Sequence, residues 1–376
     1  MNILIDLEVL NMMKTYKVNE VPLKVHGRTT DSMNPITLFY TASAVELNIA
    51  ASELWMRFFV DYSIQEMWIA IVINDVMVSR QMLLKGETEI CIFRNMNRET
   101  IKNIKIVKEV QAMAGDPNHI LQISHLKTDG VLYEVPEKEM KIEFIGDSIT
   151  SGEGAIGAKK EEDWISMFFT SQNHYAKYVA EAFDADYHII SQSGWGVYSS
   201  WDNNPHATLP SCYEQVCGLL KGHKDATLGV ENTWDFTKWQ PKIVVINLGT
   251  NDASAFDQPA WIDENEKSFK QHRNEDGSYN EDDQKRLIEA MHDFLVMIRK
   301  NNLTAHIVWV YGMLGHELYS TIQTAIKLYS ERTSDTNVSS VLLPDINEER
   351  MGARWHPGIQ SHKDAAKAII DHIKKI

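Results

Sequence analysis

The apolar positions change rhythm once along the chain. From Asn34 to about Tyr133 they come in short runs rich in β-branched and aromatic residues: Ile36–Thr41, Ala44–Ala50, Leu54–Val60, Trp68–Ile73, Val76–Met82, Glu89–Phe93, Lys105–Ala112 and His119–His125. Turn signals such as Asp75 and Lys85-Gly86 punctuate them, and most are not separated by any helical period. That crowding predicts an antiparallel sandwich or jelly roll. Residues 1–30 read as a polar lead-in without strong periodicity. The charged stretch Glu134-Val135-Pro136-Glu137-Lys138-Glu139 marks a boundary, giving an all-β domain over 1–136 and a second domain over 137–376.

After Lys141 strand-like runs alternate with helical patterns. Ile142–Ile145 precedes a helix over Tyr175–Phe183, and Tyr187–Ser191 follows it. Ile243–Leu248 precedes a helix over Leu287–Lys300, His306–Tyr311 one over Leu318–Tyr329, and Val341–Leu343 one over Asp364–Lys374. The apolar stripe Leu287, Ile288, Met291, Phe294, Leu295, Ile298 has the spacing of one helix face. Five strands alternating with helices predict a doubly wound parallel sheet with helices on both faces.

Composition bears on partners rather than on fold. The 376 residues carry 37 Lys plus Arg against 52 Asp plus Glu, a formal charge of −15. Such a surface repels nucleic acid and anionic membrane, so neither is expected as a partner. Cys91, Cys212 and Cys217 are too few and wrongly spaced for a disulfide framework or a metal site, and are expected to be buried thiols. The first residues, Met1-Asn2-Ile3-Leu4-Ile5-Asp6, lack the basic start of a secretory signal, and no apolar run approaches the roughly 18 residues of a membrane span. A cytoplasmic location is the expectation, or a secreted one if a leader has been trimmed. Nothing in the sequence argues for or against an oligomer.

Candidate chemistry collects at strand ends. The first strand of the second domain breaks into Gly146-Asp147-Ser148, with Ser148 placed as a nucleophile would be in an open α/β sheet. Strand Tyr187–Ser191 runs into Gln192-Ser193-Gly194-Trp195-Gly196. Ile243–Leu248 runs into Gly249-Thr250-Asn251-Asp252, and the last strand is followed by Arg354-Trp355-His356-Pro357. These turns supply a nucleophile (Ser148), oxyanion donors (the Gly194 N–H and the Asn251 side chain) and a base (His356), the set acyl transfer requires. Gly152-Glu153-Gly154-Ala155-Ile156-Gly157 matches a dinucleotide fingerprint on paper. It begins too far beyond the strand to open a helix from it and runs into charged residues, so that reading is set aside. No G-x-S-x-G elbow surrounds Ser148, which disfavours a standard α/β-hydrolase.

The four blocks, Gly-Asp-Ser at 146–148, glycines at 194–196, Gly-Thr-Asn-Asp at 249–252 and His356-Pro357, resemble those of the SGNH (GDSL-like) hydrolases over residues 141–376. With a β-rich domain in front, the whole chain resembles carbohydrate esterase family 2. The resemblance implies a flavodoxin-like three-layer α/β/α domain preceded by a jelly roll. It implies catalytic Ser148 and His356, an oxyanion hole of Ser148, Gly194 and Asn251, no cofactor and no metal. The activity implied is removal of acetyl groups from xylan or related hemicellulose oligosaccharides.

One position departs from the superfamily pattern. An aspartate two or three residues before the histidine usually orients the ring, and here Arg354 and Ala353 stand there. Either a distant acid (Asp345, Glu348 or Glu349) reaches the imidazole, or the Trp355 backbone carbonyl accepts its Nδ1–H, as the resemblance suggests; the dyad is the expectation. For an acetylated oligosaccharide or polysaccharide, flat rings would face the apolar sides of sugars, and Trp195, Trp261 and Tyr311 are the candidates. Two rivals follow from the same residues: a lipase or thioesterase of the same superfamily, and a carbohydrate-binding protein with weakened catalysis.

Overall fold

A computed structural model describes residues 12–376. The reading of the first residues as lacking a signal lies outside them. The chain divides into two compact units. The first runs to Glu137 and includes Ile165–Met167 and Leu219–Asn232, and the second comprises Lys138–Trp164, Phe168–Gly218 and Thr233–Ile376. The boundary expected near residue 136 therefore omits two short segments of the later chain that fold with the first unit.

Among the described residues the first unit contains eleven strands: β1 (Lys14–Lys17), β2 (Lys24–His26), β3 (Ile36–Thr37), β4 (Ala44–Ala50), β5 (Leu54–Asp61), β6 (Met67–Ile73), β7 (Val76–Leu83), β8 (Gly86–Phe93), β9 (Lys102–Lys108), β10 (Ile120–Thr128) and β11 (Val131–Tyr133). They form two antiparallel sheets, ordered β1-β10-β5-β8 with β3 on β10, and β11-β4-β9-β6-β7 with β2 on β4. The alternation seen in sequence is the burial pattern. Leu54, Met56, Phe58 and Val60 of β5 point inward and are fully buried, as are Val45, Leu47 and Ile49 of β4. Burying each such side chain contributes roughly 1.5–3 kcal/mol. The lead-in is not structureless, because β1 and β2 lie in it. Both are edge strands of three or four residues, too short and too polar to show a period.

The second unit is built on a parallel sheet ordered β13-β12-β14-β17-β18, where β12 is Met140–Gly146, β13 Ala185–Ser191, β14 Ile243–Asn247, β17 His306–Tyr311 and β18 Val338–Leu342. A small hairpin, β15 (Trp261–Ile262) with β16 (Ser268–Phe269), lies between β14 and β17 in sequence. The central strand β14 is buried at every position, the signature of a sheet covered on both faces. From β12 the chain passes through helix Tyr175–Ala182 to β13 on one side, then moves the other way from β14 through helices Glu281–Asn301 and Tyr319–Thr333 to β18. Right-handed crossovers in opposite directions place helices on opposite faces. The helices pair accordingly, Tyr175–Ala182 with Ile359–Ile373 and Glu281–Asn301 with Tyr319–Thr333. Register brings Gly146 level with both Ser191 and Asn247, so β12, β13 and β14 release their loops at one height. Cys212 and Cys217 are buried and Cys91 is half-buried, all three as thiols. Among the described residues no helix is long and apolar enough to cross a membrane.

Candidate active site

Ser148 opens a single helical turn, Ser148–Ser151, directly after β12. Gly146 is required there: a Cβ on it would sit 2.0 Å from Thr150 Oγ1 and 2.8 Å from the Asn247 carbonyl. Asp147 caps the turn, its carboxylate accepting the Ile149 N–H at 3.0 Å. Ser148 is 8% exposed, reachable but walled in. Its Oγ lies 2.9 Å from Nε2 of His356, 208 positions later in the chain. The opposite ring nitrogen, Nδ1, lies 2.8 Å from the backbone carbonyl of Arg354 and donates to it, which leaves Nε2 as the acceptor facing the hydroxyl.

The orienting group differs by one residue from the expectation. Arg354 and Trp355 are both left-handed, at φ 53° and 58°. They fold the chain back so that the carbonyl two residues before the ring comes within reach, rather than that of Trp355 beside it. Asp345, Glu348 and Glu349 are exposed, and Glu348 is engaged by Lys159 at 2.9 Å. The hydrogen bond from Nδ1 goes to the Arg354 carbonyl and to no acid, so Ser148 and His356 form a dyad in geometry.

The second and third loops meet beside Ser148. The Asn251 side-chain nitrogen donates to the Trp195 carbonyl at 3.0 Å and to Asp147 Oδ2 at 3.2 Å. Asn251 thus stitches together the neighbours of Ser148 and Gly194. Gly194 adopts φ +79°, and its carbonyl accepts the Trp201 N–H at 3.0 Å. The loop beyond it is wound onto Asp252, whose buried carboxylate accepts the N–H groups of Val197 (2.9 and 3.1 Å), Tyr198 (2.8 Å) and Ser199 (3.3 Å). Gly196 allows that approach, since a Cβ there would meet Asp252 Oδ2 at 2.5 Å. Burial pushes the Asp252 carboxyl up and the three N–H groups oppose the shift. Burial, with Asp252 and Glu153 nearby, pushes Asp147 up to about 7 despite its own backbone hydrogen bonds.

Of the aromatic candidates, Trp195 is half-buried in the Gly194 loop, where its backbone holds Asn251. Trp261 is half-buried in the β15–β16 hairpin against Phe269 and His206. Tyr311 is not available to a ligand: it is 1% exposed and its ring packs where a side chain on Gly249 would stand. A residue ending a strand need not border the cleft when the following loop closes over it. Two tryptophans that the sequence reading did not single out for substrate are prominently exposed instead. Trp201 (48%) lies with its ring against Gly194, and Trp355 (57%) directly precedes His356. Trp355 also borders a cavity of about 580 Å³ with Ala158, Lys159, Lys160 and Glu162. Glu153 and the anchoring role of Asp252 were missed as well; the glycines around Glu153 were a signal, interpreted only as a failed dinucleotide motif.

A strand-end serine, a histidine from the last loop and an asparagine after the central strand define a class, and comparison with known proteins agrees. Residues 144–338 match the GDSL-like lipase/acylhydrolase family, and the chain belongs to it. Within that family its likeness is to carbohydrate esterases. The structure of an acetyl xylan esterase, Est2A, from the rumen bacterium Butyrivibrio proteoclasticus is 41% identical, with a TM-score of 0.95 over 97% of this chain and 98% of that one. Among curated proteins, the cellulase/esterase CelE of Acetivibrio thermocellus is 29% identical over 251 residues, 65% of this chain and 27% of that protein. An acetylxylan esterase/glucomannan deacetylase of Cellvibrio japonicus is 23% identical over 252 residues, 64% of this chain and 61% of that protein. The chain thus aligns with less than two thirds of the length of either curated relative.

Proposed function

We propose that this chain is a serine esterase that removes O-acetyl groups from carbohydrate, with xylan or other hemicellulose oligosaccharides as substrates. The observation that carries it is the 2.9 Å contact from Ser148 Oγ to His356 Nε2, with the ring oriented by the Arg354 carbonyl. Nε2 takes the hydroxyl proton as Oγ attacks the acetyl carbonyl. The imidazolium then returns that proton to the departing sugar oxygen, leaving an acetyl-enzyme. Water, deprotonated by the same nitrogen, releases acetate and restores the serine. The oxyanion rests on the N–H groups of Ser148 and Gly194 and on the Asn251 amide. Asn251 has two hydrogen bonds in place, and the longer one, to Asp147, is the one it gives up.

The exposed Trp201 and Trp355, beside the oxyanion loop and the base respectively, support a sugar rather than an acyl chain as the group outside the acetyl pocket. Each exposes a flat apolar face, Trp201 with its ring against Gly194 and Trp355 one residue before the base. Three proteins of this kind in the comparisons carry acetyl xylan esterase or deacetylase activity in their names, in keeping with the reading. The charge of −15 supports a neutral oligosaccharide over nucleic acid or an anionic membrane. Acetate release from acetylated xylo-oligosaccharides, compared between wild type and Ser148→Ala, tests the proposal. Wild-type release that falls at least a thousandfold in the variant is expected, and equal release from both would refute it. Preference for octanoyl over acetyl esters would favour a lipase instead.

A further inference from the structure

The segment Gly152–Gly157, unexplained as a dinucleotide motif, is the seat of the histidine loop. Ala353 donates its N–H to the Gly154 carbonyl at 2.9 Å. Gly154 has φ +67°, and a Cβ there would stand 2.3 Å from the Ala353 carbonyl and 2.7 Å from the His356 Cβ. Between these glycines lies Glu153, 3% exposed. Its Oε1 is 3.0 Å from Nη1 of Arg354 and 3.7 Å from Nε2 of His356.

Arg354 is the residue whose carbonyl orients the imidazole, and it holds a left-handed conformation followed by a second left-handed residue. Two such non-glycine residues cost on the order of 1–3 kcal/mol each, so they persist where surrounding contacts over-determine them. The Arg354 N–H donates to the Glu161 carbonyl at 2.7 Å, and its guanidinium is tied to Glu153. Side chain and backbone of one residue are thus clamped from two sides. The carboxylate is also the acidic group nearest the imidazole, on the side of Nε2. A carbonyl at Nδ1 aligns the ring but carries no full charge to balance the imidazolium formed during catalysis.

We propose that Glu153 is the positioning acid of this dyad. Through Arg354 it holds the turn whose carbonyl aims His356, and its charge, 3.7 Å from Nε2, stabilises the imidazolium that an aspartate would otherwise face. The inference rests on Ser148 and His356 being nucleophile and base. Ionisable groups near the ring include Arg354, already paired, and His362, which burial and His356 hold neutral by pushing it down to about 3. Asp147, beside the nucleophile, has Glu153 among the charges acting on it.

The test uses p-nitrophenyl acetate, a small ester that does not need the sugar-binding surface, with Glu153→Gln, Arg354→Lys, Arg354→Met and Ser148→Ala proteins. Glutamine keeps the shape and one hydrogen bond but no charge. Glu153→Gln is expected to lower kcat on the order of 100-fold, as for a misplaced base, with KM within about twofold, and to move the acidic limb of the kcat/KM profile to lower pH. Arg354→Lys should retain more activity than Arg354→Met. A Glu153→Gln protein with wild-type kcat and an unmoved acidic limb overturns the inference. So does a lowered kcat with an unmoved limb, since that is a structural effect without the charge. If Glu153→Gln fails to fold, equal activity of the two Arg354 variants overturns it. Ser148→Ala separates the two levels: an active Ser148→Ala protein sinks the dyad itself, whereas an inactive one beside a wild-type Glu153→Gln protein sinks only the role of Glu153.

Discussion

Two loops of the second unit present groups to the same reacting centre and are held in opposite ways. The loop from Gly194 to Ser199 is wrapped around one buried carboxylate, Asp252, which takes the N–H groups of three successive residues. The loop from Gly352 to Gly358 is held mainly by backbone: Gly352 to the His356 carbonyl at 2.8 Å, Ala353 to Gly154 at 2.9 Å, Arg354 to Glu161 at 2.7 Å and Gly358 to Arg350 at 2.9 Å. In the proposed mechanism the first offers a fixed donor that keeps the same charge throughout, and a buried carboxylate that accepts three successive N–H groups holds its shape. The second offers, in the same mechanism, a ring that gains and loses a proton in each cycle. Aiming it with a neutral carbonyl fixes direction without forcing protonation, and the charge stands at the edge, on Glu153.

Removing the anchor of the first loop should have the largest effect. Asp252→Ala leaves three N–H groups without their acceptor, at roughly 1–3 kcal/mol for each that stays buried. A loss of several kcal/mol in urea unfolding, together with loss of esterase activity, is the expected outcome. A stable, active variant would show that the loop holds itself. Next comes the seat of the second loop. Gly154→Ala places a Cβ against the Ala353 carbonyl and His356, and kcat is expected to fall on the order of 100-fold in a protein that still folds. An unchanged kcat would mean that Gly154 does not decide where His356 sits.

Asn251→Ala should lower kcat by about 100-fold, the usual cost of one oxyanion donor. Because Asn251 also bonds the Trp195 carbonyl, a rise in KM of the same size would instead mark it as a brace of the loop. Trp355→Ala should raise KM for an acetylated oligosaccharide by about tenfold while leaving p-nitrophenyl acetate turnover within about twofold. Equal losses on both would return Trp355 to the histidine turn as a purely conformational residue.

The smallest effect concerns pH. Asp147 ionises near 7 in the fold against an ordinary value of 3.8, so between those values the native state binds more protons than the unfolded chain. Its contribution to stability is therefore largest below about pH 4 and declines as pH rises toward 7. The urea midpoint of Asp147→Asn should gain on that of wild type as pH is raised across this range. A constant difference would place the titration elsewhere.

The positions of Ser148, Gly194, Asn251 and His356 were legible because each lies in the first turn after a strand or before a helix, where local residue types report local geometry. The orienting carbonyl was misassigned by one residue because consecutive left-handed residues at Arg354 and Trp355 have no local signature; neither is Gly, Asn or Asp. Tyr311 was misread for the opposite reason, since being at a strand end says nothing about what closes over it. Strands β1 and β2 escaped notice because three or four residues at a sheet edge carry too little periodicity to register.

By itself the sequence determined the two textures, antiparallel alternation and then buried parallel strands with helices between, because burial on one face or two dictates the spacing of apolar residues. It also determined which residue types stand at the strand ends. Only the tertiary structure decided that Ser148 and His356, 208 positions apart, meet at 2.9 Å, that Arg354 supplies the carbonyl, and that Glu153 stands behind both. Such meetings depend on how loops from opposite ends of the unit pack on one another, and that packing is set by close backbone approach at glycines and by the pairing of a buried charge, neither of which has a period to read.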